Sequence, residues 1–350
     1  MIKAVRNAAI GFPMATVLVT GSAGFIGFHL SALLKERGYT VIGYDGMTEY
    51  YDVTLKQRRH QILNQSPNVQ TYEAMLEDAP SLRSVFEQHK PDVVVHLAAQ
   101  AGVRYSLENP GAYISANIVG TFNVMELARE FEVGHLLAAS TSSVYGANED
   151  MPFFEVDQTE TPLTLYAATK KANESMMHSY AHLWKMPITM FRFFTVYGAW
   201  GRPDMALFKF VRNTIEGKPI DIYNNGEMVR DFTYVSDLVE AIARLIEAKP
   251  EEGKPVDPAL AKDSLSPVAP FRVVNIGNAQ PVKLMDFIEQ MEAKLGKKAI
   301  RNMMGMQKGD VKQTFANSDL LAALTGFRPN TSTQEGISRF VDWYRDYYQV

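Results

Sequence analysis

The chain has 350 residues, 46% hydrophobic and 21% charged, enough for a large core and roughly two domains. A formal charge of −4 and an isoelectric point near 6.0 argue against a nucleic-acid or anionic-membrane partner. The absence of cysteine excludes disulfides, thiolate metal sites and cysteine nucleophiles, and no apolar run approaches the ~20 residues of a membrane-spanning helix.

In chain order, residues 1–13 carry two positive charges and no convincing cleavage site. They read as a loose extension that a start at Met14 would remove without loss, and the default compartment is the cytoplasm. Val17-Leu18-Val19-Thr20 is an apolar, β-branched run that ends in Gly21-Ser22-Ala23-Gly24-Phe25-Ile26-Gly27. Helical spacing continues through Leu30, Leu33 and Leu34 to Gly38, and 40–45 reads as the next strand. Strand, glycine turn, helix and strand make one βαβ unit. Its continuous apolar strands predict a parallel sheet covered on both faces.

The cluster Lys56-Gln57-Arg58-Arg59 reads as a solvated face. Strands follow at 68–73, 92–97, 135–140 and 187–193, with helices at 80–89, 110–131 and 166–184 between them. Such alternation predicts a doubly wound, Rossmann-like α/β sheet. Past about residue 195 the pattern turns irregular, with helices near 204–217 and 236–248. Asn224-Asn225-Gly226 reads as a turn closing a hairpin, and the Pro-rich 250–270 loop as a surface excursion of a smaller domain before a strand at 271–277. The expected division is an extension over 1–15, a dinucleotide domain over 16–194, and a smaller α/β substrate domain over 195–350 with some segments returning to the first.

The glycine pattern predicts the cofactor. Gly21 allows the tight turn, Gly24 lets backbone approach a pyrophosphate, and Gly27 permits close helix–strand packing. The helix N-terminus, with Phe25 and Ile26 in its first turn, then faces the phosphates with unpaired N–H groups. Asp45, ending the second strand, can accept from ribose hydroxyls and would repel a 2′-phosphate, which favours NAD over NADP. Leu97-Ala98-Ala99 ends the fourth strand in small residues that permit close approach to the nicotinamide half. His96 reads as a packed strand histidine, and no ligand cluster predicts a metal.

Tyr166 and Lys170 lie four apart on a predicted helix, so phenol and ammonium share one face. A nearby cation favours the phenolate and makes tyrosine a usable acid/base for a sugar hydroxyl. Alone, the spacing is weak evidence, because Tyr and Lys four apart recur by chance on many solvated helix faces.

Together and in order, the glycine turn, Leu97-Ala98-Ala99, Ser140-Thr141-Ser142-Ser143-Val144-Tyr145-Gly146 and Tyr166 to Lys170 carry a resemblance. From about Thr16 onward the chain resembles the extended short-chain dehydrogenase/reductases, in their nucleotide-sugar epimerase branch. Residues 99–106, 192–198, 200–205, 229–235 and 266–273 are similar to its UDP-glucuronate 4-epimerases. The resemblance implies Thr141 as the hydroxyl partner of Tyr166, Lys170 on the nicotinamide ribose, and Asn117 shaping the nicotinamide end. Relatives usually carry an acidic residue near the end of the third strand, around Met75 and Leu76 here. Glu77 and Asp78 come slightly later, which leaves the adenine contact open.

The implied reaction removes the proton of the sugar's 4-hydroxyl to Tyr166 and hydride from carbon 4 to NAD, then returns both to the opposite face. A hexuronic acid passes through a 4-keto acid that loses carbon dioxide unless its carboxylate is gripped. Ser142, Ser143, Thr195 and Arg202 are expected to grip it. Decarboxylases and dehydratases typically place Glu where Ser143 stands, which argues against both. Arg230 is expected to clamp the diphosphate of a UDP-sugar. Arg301 and Asp310 are weaker candidates for phosphate and ribose, and Arg104 for the entrance. The 110–131 and 166–184 helices are apolar beyond one stripe, which suits a homodimer interface or simply the cover of the sheet.

Overall fold

The structure is a computed structural model that describes residues 15–307, 309 and 311–350. The expected extension, up to Met14, and Asp310 lie outside the described residues.

Regular alternation fills the first half. It runs β1 (Thr16–Thr20), α1 (Phe25–Glu36), β2 (Thr40–Asp45), α2 (Val53–Leu63), β3 (Val69–Glu73), α3 (Ala79–His89) and β4 (Val93–His96). Short helices α4 (Tyr105–Glu108) and α5 (Pro110–Tyr113) lead through a π-helical segment (Ile114–Gly120) into α6 (Thr121–Glu130). Then come β5 (His135–Thr141), a 3₁₀ turn (Ser142–Tyr145), α7 (Leu165–Trp184) and β6 (Ile188–Phe193). The remainder holds β7 (Thr195–Tyr197), α8 (Ala206–Glu216), β8 (Pro219–Ile222), β9 (Val229–Tyr234), α9 (Val235–Glu247), β10 (Phe271–Ile276) and β11 (Pro281–Lys283). It closes with α10 (Leu284–Leu295), β12 (Ile300–Met303), β13 (Gln313–Thr314), α11 (Asp319–Thr325) and α12 (Thr333–Tyr348).

Among the described residues, seven strands form one parallel sheet in the order β10-β6-β5-β4-β1-β2-β3. Period-two alternation divides its core. Val17 and Val19 pack with Leu30, Leu34, Leu238 and Ile242 on one face, whereas Leu18 joins Phe86, Val124, Leu127 and Met177 on the other. Both faces are covered, which is why the strands carry no polar alternation. The chain order reverses between β1 and β4, so the crevice at their carboxyl ends is the topological switch point where such sheets bind ligands.

The smaller lobe has its own aromatic core of Phe208, Phe232, Phe287, Phe340 and Tyr344. There β9 pairs with β11, β13 and β7, while β8 pairs in parallel with β12. The hairpin expected at Asn224-Asn225-Gly226 does not form. Both asparagines adopt left-handed backbone (φ 50 and 48), and the turn redirects β9 to other partners. The 250–270 loop is likewise not an excursion of the smaller lobe. It joins α9, packed on the large sheet, to β10, which extends that sheet beside β6.

Candidate active site

The glycine turn closes around the end of β1. Gly21 has φ +76, and a Cβ there would stand 2.8 Å from Ala98 N, so the turn and the strand end after β4 touch backbone to backbone. A Cβ on Gly27 would come 2.0 Å from Gly21 O, which forces glycine where α1 meets the turn. No side chain caps α1, so the N–H groups of Phe25, Ile26 and Gly27 face the crevice as an anion site. Asp45 is buried, its Oδ2 accepting from Ala23 N at 3.1 Å and Oδ1 from Met47 N at 2.9 Å. These residues fit a dinucleotide: a crowded glycine cradle, open helix N–H groups and a fixed carboxylate.

Charge patterning misread α2. Gln57 and Arg58 are exposed, but Lys56 and Arg59 are buried, and Arg59 is fully so. Arg59 donates to Ala23 O at 2.7 Å, to the Tyr51 hydroxyl at 3.0 Å and to Trp200 O at 2.6 Å. Lys56 lies 3.9 Å from Asp45. Leu55, Lys56, Arg59, His60 and Leu63 share one helical face, and that 3.6-residue spacing was the available signal. At the expected adenine end, Asp78 caps α3 through Ser81 N at 3.1 Å and Glu77 accepts from Ser115 at 2.7 Å, so both acids already serve the fold.

Thr164 caps α7, accepting from Ala167 N at 3.3 Å, and the helix carries Tyr166, Lys170 and Glu174 on one stripe toward the sheet. Lys170 is buried and donates to Ala139 O at 2.9 Å; burial lowers its ammonium to about 8. Burial raises the Tyr166 pKa, while a hydrogen bond with Thr141 and the charge of Arg202 oppose that rise. The bond from Lys170 to the β5 carbonyl uses one of the three ammonium donors and leaves two for a ligand.

Asn117 sits in the π-helical segment, where a widened turn aims it inward. Its Oδ1 accepts from Gln100 N at 2.8 Å, and Nδ2 donates to Gln100 O and to Thr169 Oγ1, each at 3.1 Å. It ties the loop after β4 to α7, and Tyr113 stands edge-on to Tyr166 at 6.0 Å. His96 is a packed strand histidine, pairing with Thr20 at 2.8 Å and Thr121 at 3.0 Å.

The sugar end gathers at adjacent strand ends, since Thr141 on β5 lies opposite Phe193 on β6 and Thr195 opens β7. Thr141 Oγ1 accepts from Ser143 N at 3.2 Å, and Ser142 and Ser143 are half-buried in the 3₁₀ turn. Arg202 is bound side-on by Asp204, Nε to Oδ1 at 3.0 Å and Nη2 to Oδ2 at 2.5 Å, and Tyr50 donates to the same Oδ2 at 3.1 Å. Sequence reasoning singled out neither Tyr50 nor Asp204.

A family model described as "NAD dependent epimerase/dehydratase family" matches residues 17–257. The chain belongs to that family. It is 59% identical over 332 residues to a probable UDP-glucuronate 4-epimerase of Rhizobium meliloti, covering 95% of this chain and 97% of the relative. It is 44% identical to UDP-glucuronate 4-epimerase 2 of Arabidopsis thaliana, over 95% of this chain and 76% of the relative. Among solved structures, the UDP-glucuronic acid 4-epimerase of Bacillus cereus in complex with UDP-glucuronic acid and NAD superposes with a TM-score of 0.84. That pair shares 32% identity over 95% of this chain and 100% of the other.

Of the remaining candidates of this family member, Arg230 and Arg301 lie in the smaller lobe and Arg104 in the loop after β4. Arg230 donates to Val229 O, Lys312 O and Val311 O at 2.9, 3.0 and 2.6 Å, fastening the chain before β13 to β9. Arg301 ion-pairs with buried Glu292 at 3.0 Å, joining β12 to α10. Arg104 lies over the Tyr223 ring at 4.3 Å.

Behind α7, Glu174 and Arg192 form a buried pair, and Arg192 also donates to Glu155 O at 3.0 Å. Burial pushes the Glu155 carboxyl from 4.5 up to about 7. The folded state thus prefers it protonated, a contribution complete below about 4.5 and lost as pH rises through about 7. Urea titrations across that range should show the wild type losing stability relative to Glu155→Gln as pH rises. A flat or opposite difference would overturn the assignment.

Proposed function

We propose that this protein interconverts UDP-glucuronate and UDP-galacturonate by NAD-dependent 4-epimerisation. The observation that carries it is the set Thr141, Ser142, Ser143 and Thr195 at neighbouring strand ends, with no carboxylate at positions 142 or 143. The family and the relatives named above support the same substrate.

NAD, when bound, supplies a hydride acceptor and donor at the sugar's carbon 4. Gly21, Gly24, Phe25, Ile26 and Gly27 would receive its pyrophosphate, Asp45 its adenosine ribose, and Leu97, Ala98, Ala99, Asn117 and Lys170 its nicotinamide half. Tyr166 takes the proton of the 4-hydroxyl as it is oxidised and gives it back when the other face is reduced, with Thr141 sharing that proton. Burial raises the Tyr166 pKa, and the hydrogen bond with Thr141 and then the charge of Arg202 offset part of that rise. Ser142, Ser143 and Thr195 offer hydroxyl donors to the uronate carboxylate, and Arg202 a cation. Arg230, Arg104 and, more distantly, Arg301 are the cations offered to the diphosphate side, with residues 16–194 mainly serving NAD and 195–350 the UDP-sugar.

We further propose a cytoplasmic homodimer that supplies sugar nucleotide for polysaccharide synthesis. Ile114, Val119, Phe122, Leu183 and Trp184 leave apolar surface exposed along the π-helical segment, α6 and α7. No helix of the described residues is long and apolar enough to cross a membrane.

Purified protein incubated with UDP-glucuronate and followed by NMR is expected to yield UDP-galacturonate without carbon dioxide. Accumulation of a UDP-pentose instead would replace the reading with decarboxylation, and no turnover would remove both.

A further inference from the structure

Holding a uronate through a 4-keto stage is a problem of orientation as much as of charge. The carbon dioxide leaves when the bond from carbon 5 to the carboxylate stands perpendicular to the ketone plane, overlapping its π system. A cation that attracts the carboxylate without fixing its angle lets that geometry occur. Arginine suits the task through its planar fork, but its long side chain must first be held.

Arg202 stands in irregular backbone between β7 and α8, so no helix or strand fixes its direction. Asp204 does so instead. Its two oxygens take Nε and Nη2 in the side-on arrangement, which turns the Nη1 end of the fork away from Asp204. Asp204 is itself braced: Tyr50 donates to Oδ2 at 3.1 Å, and the Tyr50 ring packs on Tyr105 at 4.7 Å and lies 5.6 Å from the Arg202 guanidinium. A Cβ on Gly102 would reach within 2.8 Å of the Tyr50 hydroxyl, so the loop after β4 closes on the same brace. Side-chain exposures of 19% and 26% set this pair apart from the freely solvated ion pairs of the surface, such as Lys254 with Glu251 at 71% and 60%.

We propose that Asp204, braced by Tyr50, is a specificity-determining positioning residue that presents the Nη1 edge of Arg202 to the uronate carboxylate and keeps it near the ketone plane. The inference rests on the UDP-glucuronate reading and deepens it: Asp204 decides how each oxidised intermediate ends. When the grip slackens, the bond between carbons 5 and 6 breaks and its electron pair enters the ketone as an enolate. Carbon dioxide leaves, and a solvent proton restores carbon 5, giving a UDP-4-keto-pentose.

The test compares wild type, Asp204→Asn and Tyr50→Phe, each with its bound NAD content and melting temperature recorded. UDP-glucuronate with an isotope-labelled carboxylate is the substrate, and labelled carbon dioxide is measured against UDP-galacturonate. Asp204→Asn is expected to raise the carbon dioxide fraction per turnover about tenfold and to raise KM for UDP-glucuronate. Tyr50→Phe should move both in the same direction by less. A residue that served folding alone would lower turnover and leave the product ratio untouched. A folded, NAD-loaded Asp204→Asn with the wild-type ratio overturns the proposal, and if that variant does not fold, an unchanged ratio in Tyr50→Phe overturns it equally. Failure of the wild type to make UDP-galacturonate removes the substrate reading itself.

Discussion

Tyr166→Phe is expected to lower turnover of UDP-glucuronate by about a thousandfold, within the range that a positioned acid/base supplies, while the protein keeps its NAD. The variant loses only the phenol oxygen. The ring's edge contact with Tyr113 at 6.0 Å survives, and Lys170 keeps its own bond to Ala139 O at 2.9 Å, which does not pass through the phenol. Turnover is followed by product NMR, and NAD is released by denaturation and measured by its absorbance. Loss of NAD along with activity would mean that Tyr166 holds the cofactor site rather than moving a proton. Near-normal turnover would place the acid/base elsewhere.

Glu174→Ala is expected to destabilise the fold by roughly 3–5 kcal/mol, the scale of leaving one partner of a buried ion pair unmatched. Glu174 lies one helical turn beyond Lys170 and is 4% exposed. It accepts from Arg192 Nε and Nη2, each at 2.9 Å, and from Ser140 Oγ at 2.6 Å. The pair joins α7 to β5 and β6, the two strands whose ends carry Thr141 and lead to Thr195. Without Glu174, the Arg192 guanidinium stays buried beside the Tyr145 ring at 4.7 Å and loses its paired carboxylate. Replacing both members, as in Glu174→Met with Arg192→Met, removes the orphaned charge and should recover much of the loss. Urea denaturation of the two single variants and the double variant measures the coupling, and additive losses would dismiss it.

The parts legible in sequence share a physical basis. Periodicity reports which side of an element is buried, so the β1–α1–β2 unit and the stripe of Tyr166 and Lys170 could be read directly. The glycine turn could be read because only glycine survives at position 27, where a Cβ would stand 2.0 Å from Gly21 O. The α2 helix failed for the complementary reason. A run of Lys and Arg looks solvated unless its helical spacing is weighed, and nothing local announces that Arg59 will find Ala23 O and Trp200 O.

Long-range pairing accounts for the other differences. Strand β10 resumes after the Pro-rich loop as expected, but its place beside β6 depends on which edge the folded sheet leaves open. The turn at 224–226 was visible, whereas the partners of β9 were not, because a turn sets local direction and not pairing. The chemical types of the site were therefore written in the chain: a glycine cradle, an acid ending β2, and a phenol and ammonium one turn apart. Folding alone decided that Lys170 would donate to the Ala139 carbonyl. It also decided that Asp204 and Tyr50 would hold Arg202. Charge acts through space over a few ångströms, and those distances exist only once loops far apart in sequence meet at the carboxyl ends of the strands.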